Sequence, residues 1–241
     1  MKQSDAVEHV MDQNGGYATL AYLYRNVNVT DWKTKTPFAS IRRIVQDPNR
    51  FFKIRPGLWA LNSRKKEVLR FLNIENAKDK KSNEEFNHTY YQGLLVEIGN
   101  MKGFDTFVPN QDKNRIYLNK QLKEITTLGE IFQFTYEKVL RRARTVDVTW
   151  FNKREFPASF FEIEFSTHFE SALLKYLMLQ DFNVDFKIVA DKAQAREYFD
   201  KLSNSSFDPI RKRINFIEFG ELSIYHSKIS EFILAEKRLK L

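Results

Sequence analysis

The sequence predicts a mixed α/β protein in the α+β sense: a small basic unit of helices and a hairpin, followed by a larger mixed sheet flanked by helices. Three observations predict it. The net charge of +8 is unevenly divided, since residues 1–82 hold 16 Lys and Arg against 8 Asp and Glu while the remainder is balanced at 23 of each. Ahead of a polar connector the patterns run helix, helix, cationic helix, hairpin; beyond it, strand and helix patterns alternate. With 241 residues, 42% of them hydrophobic, the chain can bury real cores, and with no cysteine it holds no disulfide or thiolate metal site.

The first helix is capped by Ser4, carries Val7, Val10 and Met11 on one face, and stops at Gly15-Gly16. Tyr17 to Tyr24 reads as a second short helix. Thr36-Pro37 opens the third, with a cap followed by proline at the first helical position, where a missing N–H costs nothing. Its apolar stripe is Phe38, Ile41, Ile44 and Val45, and Ser40, Arg42 and Arg43 project elsewhere. Phe51 to Ile54, the turn Arg55-Pro56-Gly57 and Leu58 to Leu61 then make a two-stranded hairpin. This is the winged-helix order, expected over residues 1–62, with a solvated connector over 63–87 whose middle, Val68 to Leu72, reads as a short helix. In such a unit Arg42 and Arg43 approach base edges and Lys53 and Arg55 on the hairpin meet phosphates, with Lys33, Lys35 and Ser40 as further DNA-binding residues. A basic unit beside a neutral one suits a polyanion, although a basic face also serves solubility. The run Thr36 to Ile44 with Phe52 to Leu61 resembles the HARE-type winged helix attached to restriction and chromatin factors. The resemblance covers residues 5–62 and implies DNA association, leaving open whether sequence, a modified base or the backbone is read.

The second domain is expected over residues 88–241. Tyr90 to Asn100 has helical character ended by Gly103, and Thr106 to Val108 reads as a strand. Leu128 to Leu140 is open between helix and strand, with helix slightly favoured. Thr145 to Trp150 and Ser159 to Phe165 are strand-like, followed by a helix over Phe169 to Leu179, a strand over Phe186 to Ala190, a helix over Asp191 to Leu202 and a strand over Ile214 to Ile217. That order fits a central mixed sheet covered by helices.

The chemistry concentrates in the two adjoining strands. Period-two alternation sends Phe161, Ile163 and Phe165 to one face and Glu162 and Glu164 to the other, and Asp147 is flanked by valines in the same manner. The polar segment Asn152 to Pro157 reads as a hairpin turn centred between Arg154 and Glu155, and a symmetric register then places Asp147 opposite Glu162. Opposed carboxylates repel unless something positive lies between them, and hard oxygen ligands suit Mg²⁺ or Mn²⁺. An ordinary polar face would need no ion, but charges set among Phe160, Phe161 and Phe165 are partly desolvated and need a partner.

This arrangement resembles the catalytic core of the PD-(D/E)xK nuclease superfamily, over about residues 88 to 219. The resemblance implies Asp147 and Glu162 as metal ligands, with Glu97 on the preceding helix as a further acidic ligand. Glu164 stands where that superfamily usually has lysine, in a Glu-x-Glu variant; as a catalytic group it would serve as base or hold a second metal. Lys175, on the following helix, is a candidate for a displaced cation. His168 reads as structural, and Arg211-Lys212-Arg213 as a solvated run rather than a phosphate track. The resulting expectation is a Mg²⁺-dependent endonuclease of double-stranded DNA, type II restriction-like, cytoplasmic, homodimeric, without membrane segment or small-molecule cofactor. The alternative is a non-catalytic DNA-binding regulator with a degenerate nuclease domain, encouraged by the missing lysine.

Overall fold

The computed structural model describes residues 2–75, 79–166 and 169–239. It divides into two compact units, one comprising residues 1–83 with 223–241, the other Glu84–Leu222.

In the first unit, α1 (Gln3–Gln13) ends at Gly15 and Gly16, both with positive φ, which turns the chain into β1 (Tyr17–Thr19). Helix α2 (Leu20–Asn26) begins only after Thr19, whose side chain accepts from Tyr22 N–H as an N-cap. The helix expected from Tyr17 therefore starts three residues later, because Tyr17, Ala18 and Thr19 are taken by pairing with Ala60, Trp59 and Leu58. Helix α3 (Pro37–Ile44) has proline in its first turn, and β2 (Phe51–Arg55) and β3 (Leu58–Leu61) form the expected hairpin, bent at Gly57 with φ 78°. The sheet order is β1-β3-β2. Val7, Met11, Leu23, Ile41, Val45 and Leu61 are buried together in the core. The stretch expected as connector holds α4 (Lys65–Phe71) and the start of α5 (Lys80–Met101).

The second unit is built on a five-stranded mixed sheet. Its strand β4 (Asp105–Phe107) lies at one edge. A small hairpin, β5 (Ile116–Tyr117) and β6 (Lys120–Gln121), and the short helices α6 (Leu122–Ile125) and α7 (Glu137–Ala143) precede β7 (Val148–Phe151) and β8 (Pro157–Glu164). Then come α8 (Phe169–Leu177), β9 (Asp185–Ala190), α9 (Ala195–Leu202), α10 (Asp208–Arg211), β10 (Ile214–Glu218) and α11 (Phe219–Leu239). The order is β10-β9-β8-β7-β4, with β4, β7 and β8 antiparallel in turn and β8, β9 and β10 parallel. Parallel strands need long crossovers, and α8 and α9 supply them.

Neighbouring Phe160 and Phe161 separate the two faces of the sheet. Phe160 joins Phe151, Phe186, Leu173, Tyr176 and Tyr198 in one core. Phe161 lies 4.5 Å from Trp150, whose indole N–H donates to the Leu95 carbonyl of α5. Helix α5 approaches closely because Gly99 is side-chain-free: a Cβ there would stand 2.6 Å from Thr106 Cγ2 and Trp150 Nε1. The favoured helix over Leu128 to Leu140 is restricted to α7; upstream, Phe132 and Phe134 pack edge-on and tilted against Phe151 from irregular backbone. The last helix, which carried no sequence assignment of its own, groups from Ser223 onward with the first unit, where Leu234 packs against the core and Arg238 lies over the Phe38 ring.

Candidate active site

The β7–β8 hairpin forms because its turn is closed locally. Asn152 Oδ1 accepts from the Arg154 and Phe156 N–H groups, and Glu155 adopts a positive φ of 64°. Strand register follows: Val148 pairs with Phe161, Thr149 with Phe160 and Trp150 with Ser159, before a shift at Phe151 and Pro157. This is the symmetric register read from the turn. Asp147 occupies the bend just before β7, one step beyond the last rung, and Glu162 is the residue following that rung on β8.

Each acidic group meets a defined partner. Asp147 Oδ2 accepts from Ile163 N–H at 2.8 Å and lies 3.2 Å from His88 Nε2. Glu162 is only 2% exposed; its Oε2 accepts from Lys175 Nζ at 2.7 Å, and its buried Oε1 has no hydrogen-bond partner among the described residues. Lys175 reaches in from α8 and also donates to the Thr145 carbonyl at 3.0 Å. Behind Asp147, Gln92 of α5 donates to the Asp147 carbonyl and to Asp112 Oδ2, and Asp112 is paired with Arg115 at 3.1 Å.

Burial sets the electrostatics. It pushes the Glu162 carboxyl well above the usual carboxylate range, the Asp147 charge pushes further, and Lys175 pulls back only in part. Glu164 is pushed up to about 7 by burial and by Asp147, against Lys175 and His88. Burial acts on Asp147 in the same sense, but His88, Lys175 and the Ile163 N–H outweigh it, so Asp147 stays below its ordinary value. Burial favours neutral His88 and neutral Lys175, yet the surrounding carboxylates raise both.

Asp147, Glu162 and Glu164 thus act on one another electrostatically, and Lys175 joins them. Among the described residues no group of three or more His, Asp or Glu side chains stands in metal-holding geometry. A magnesium-like ion does not require one: it is commonly held by one or two carboxylates and completed by water and phosphate oxygens. Asp147 and the unpartnered Oε1 of Glu162 offer hard oxygen donors of that kind.

Glu97 does not converge with them. It lies nine residues along α5 from His88, about 13.5 Å and two and a half turns on, hence on the opposite side of the helix, and its Oε2 accepts from the Tyr117 hydroxyl. The residue that α5 does bring to Asp147 is His88, which sequence reasoning missed; its i,i+4 spacing to Gln92 was the available signal. His168 lies outside the described residues.

The cations singled out on the first unit have varied surroundings. Lys33, Lys35, Arg43 and Lys53 are exposed. Arg42 pairs with Glu231 of α11 at 3.2 Å, Arg55 donates to the Ile54 carbonyl, and the Ser40 hydroxyl lies 3.4 Å from the Thr36 carbonyl. Among the described residues no helix is long and apolar enough to cross a membrane.

No curated protein and no solved structure matches the chain. A family model does: that of the type II restriction enzyme NmeDI C-terminal domain, over residues 71–232. The match runs from the end of α4 into α11, across more than half the chain, and takes in His88, Asp147, Glu162, Glu164 and Lys175. The second unit is accordingly a restriction-endonuclease-like domain, and the chain belongs to the family of the type II restriction enzyme NmeDI C-terminal domain.

Proposed function

We propose that the chain is a Mg²⁺- or Mn²⁺-dependent endonuclease that hydrolyses phosphodiester bonds of double-stranded DNA in the manner of a type II restriction enzyme. One observation carries this reading: two carboxylates, Asp147 just before β7 and Glu162 on β8, share one end of the hairpin with a half-buried lysine, and among the described residues one oxygen of Glu162 has no hydrogen-bond partner. A bare buried carboxylate oxygen is costly unless the site is built to receive a ligand.

Asp147 and Glu162 would hold the ion, which when bound polarises the phosphoryl oxygen and lowers the pKa of coordinated water. Lys175 Nζ keeps a positive charge beside the Glu162 carboxylate, where negative charge builds on the phosphate. Glu164, whose carboxyl stands at about 7, is poised near neutral pH to take the proton of the attacking water on its carboxylate. The water oxygen then bonds to phosphorus as the ester P–O bond breaks, and the leaving oxygen takes a proton from solvent. In PD-(D/E)xK terms, Lys175 supplies from α8 the cation that residue 164 lacks. That favours catalysis over a degenerate, purely DNA-binding regulator.

The first unit is read as a winged helix whose exposed Lys33, Lys35, Arg43 and Lys53 contact duplex phosphates, with Ser40, Arg42 and Arg55 as further contacts. Two antiparallel strands and one site per chain suit a cytoplasmic homodimer. The test is cleavage of mixed plasmid DNA with Mg²⁺ by the wild type and by Asp147→Ala and Glu162→Ala. Cutting by the wild type and by neither variant supports the nuclease. Salt-sensitive retention of DNA without cutting in any divalent metal would replace it with the regulator.

A further inference from the structure

Asp147 lies beyond the last paired rung of β7, so the ladder does not hold it. The Ile163 N–H of β8 donates to its carboxylate, and the remaining hold comes from α5. His88 and Gln92 are one helical turn apart and share a face. Gln92 is fully buried; its Nε2 donates to the Asp147 carbonyl at 3.0 Å and to Asp112 Oδ2 at 2.9 Å, and its Oε1 lies 3.2 Å from His88 Nδ1. His88 Nε2 lies 3.2 Å from Asp147 Oδ2. Asp112, 2% exposed, is itself tied to Arg115, whose Nη1 stands 3.5 Å from His88 Nδ1.

Burying a glutamine and an aspartate together, beside a half-buried histidine, is a costly way to pack a helix against a sheet, since apolar residues of similar volume would serve at least as well. The arrangement is better suited to fixing a functional group. We propose that His88 and Gln92 are positioning residues for Asp147: Gln92 fixes its backbone, and His88 together with the Ile163 N–H fixes one carboxylate oxygen, leaving the other to serve as an ion ligand. This deepens the nuclease reading and rests on it. The role needs only an Nε2–H on His88, which both the imidazolium and one neutral tautomer provide. From the other side, Lys175 pins the Thr145 carbonyl, so the bend leading into Asp147 is held from both α5 and α8.

The test uses the full chain and the variants His88→Leu, His88→Asn and His88→Gln. Glutamine's Nε2 can reproduce the donor, while asparagine is polar but too short, and it covers the case in which the leucine variant fails to fold. Mn²⁺ uptake is measured by calorimetry, cleavage is resolved into kcat and KM, and the Ile163 amide resonance is followed in isoleucine-labelled protein, because that N–H donates to Asp147 Oδ2. Loss of the donor is expected to weaken Mn²⁺ binding and lower kcat by about 10- to 100-fold. KM for DNA should be unchanged, the Ile163 resonance displaced, and all three readouts largely restored in His88→Gln. Leucine and asparagine variants with wild-type Mn²⁺ affinity, kcat and Ile163 shift would overturn the proposal. A wild type that neither cuts nor takes up Mn²⁺ sinks the nuclease reading instead. In that event the Ile163 resonance alone decides whether His88 holds Asp147: displacement in His88→Asn with recovery in His88→Gln supports it, and no displacement refutes it.

Discussion

Replacing Glu164 by glutamine should make the metal-free protein more stable in alkaline solution and change it little in acid. The Glu164 carboxyl binds its proton up to about pH 7 in the folded chain, against 4.5 as its ordinary value. A group with a raised folded-state pKa binds more protons when folded than when unfolded, so stability falls as pH climbs from about 4.5 through about 7 and stays low above that. At 1.36 kcal/mol per pH unit, the ionised wild type carries a penalty of about 3 kcal/mol at most, reduced by solvent at this partly exposed carboxyl. Glutamine keeps the size and removes the titration, and it also relieves Glu162 of one neighbouring charge. The assay is urea unfolding of both proteins in chelator at pH 5 and pH 8.5. Expected is a gain for Glu164→Gln of about 1 to 3 kcal/mol at pH 8.5, shrinking below about 1 kcal/mol at pH 5. Equal gaps at the two pH values, or a variant less stable at pH 8.5, would refute the reasoning that burial and Asp147 raise this group.

Lys175→Met should abolish cleavage and destabilise the fold by about 3 kcal/mol at pH 8, because a buried Glu162 loses its counter-charge; at pH 5 the loss should be smaller, since that carboxyl then keeps its proton. Chemical denaturation at both pH values measures it. Gly93→Ala should lower stability by about 1 to 3 kcal/mol even though alanine is the better helix former, since a Cβ there would overlap the buried Tyr117 ring; thermal unfolding decides the sign. Glu231→Ala removes the partner of Arg42 on a half-exposed pair, so the stability cost should stay below about 1 kcal/mol. If α3 meets DNA, the freed arginine should tighten nonspecific duplex binding at low salt, and anisotropy titrations showing unchanged affinity would count against Arg42 as a contact.

The strand geometry was legible in the sequence because it is local. Alternation over Ser159 to Phe165 and the polar turn at Asn152 to Pro157 fixed both the facing of Glu162 and the register that brings Asp147 beside it. Thr36-Pro37 and Pro56-Gly57 marked the start of α3 and the bend of the first hairpin for the same reason. What was not legible depends on partners distant in sequence. Tyr17 to Thr19 has helical spacing but is claimed by β3 some forty residues on. Glu97 looked suitable as an acid on α5, yet the helix turns it toward Tyr117 and presents His88 instead, and no periodicity tells which stripe of a mostly buried helix meets the carboxylates. Lys175 was visible as a candidate, but only the packing of α8 beneath β8 brings its amine to Glu162. The grouping of α11 with the N-terminal unit rests on Leu234, Glu231 and Arg238, whose partners lie some two hundred residues earlier.

Anomalous diffraction from crystals soaked in Mn²⁺ tests most directly whether Asp147 and Glu162 share an ion. A manganese peak within about 2.3 Å of an Asp147 carboxylate oxygen and of Glu162 Oε1 is the expected result. Well-ordered carboxylates with no peak between them, at Mn²⁺ concentrations that support any cleavage the protein shows, would contradict it.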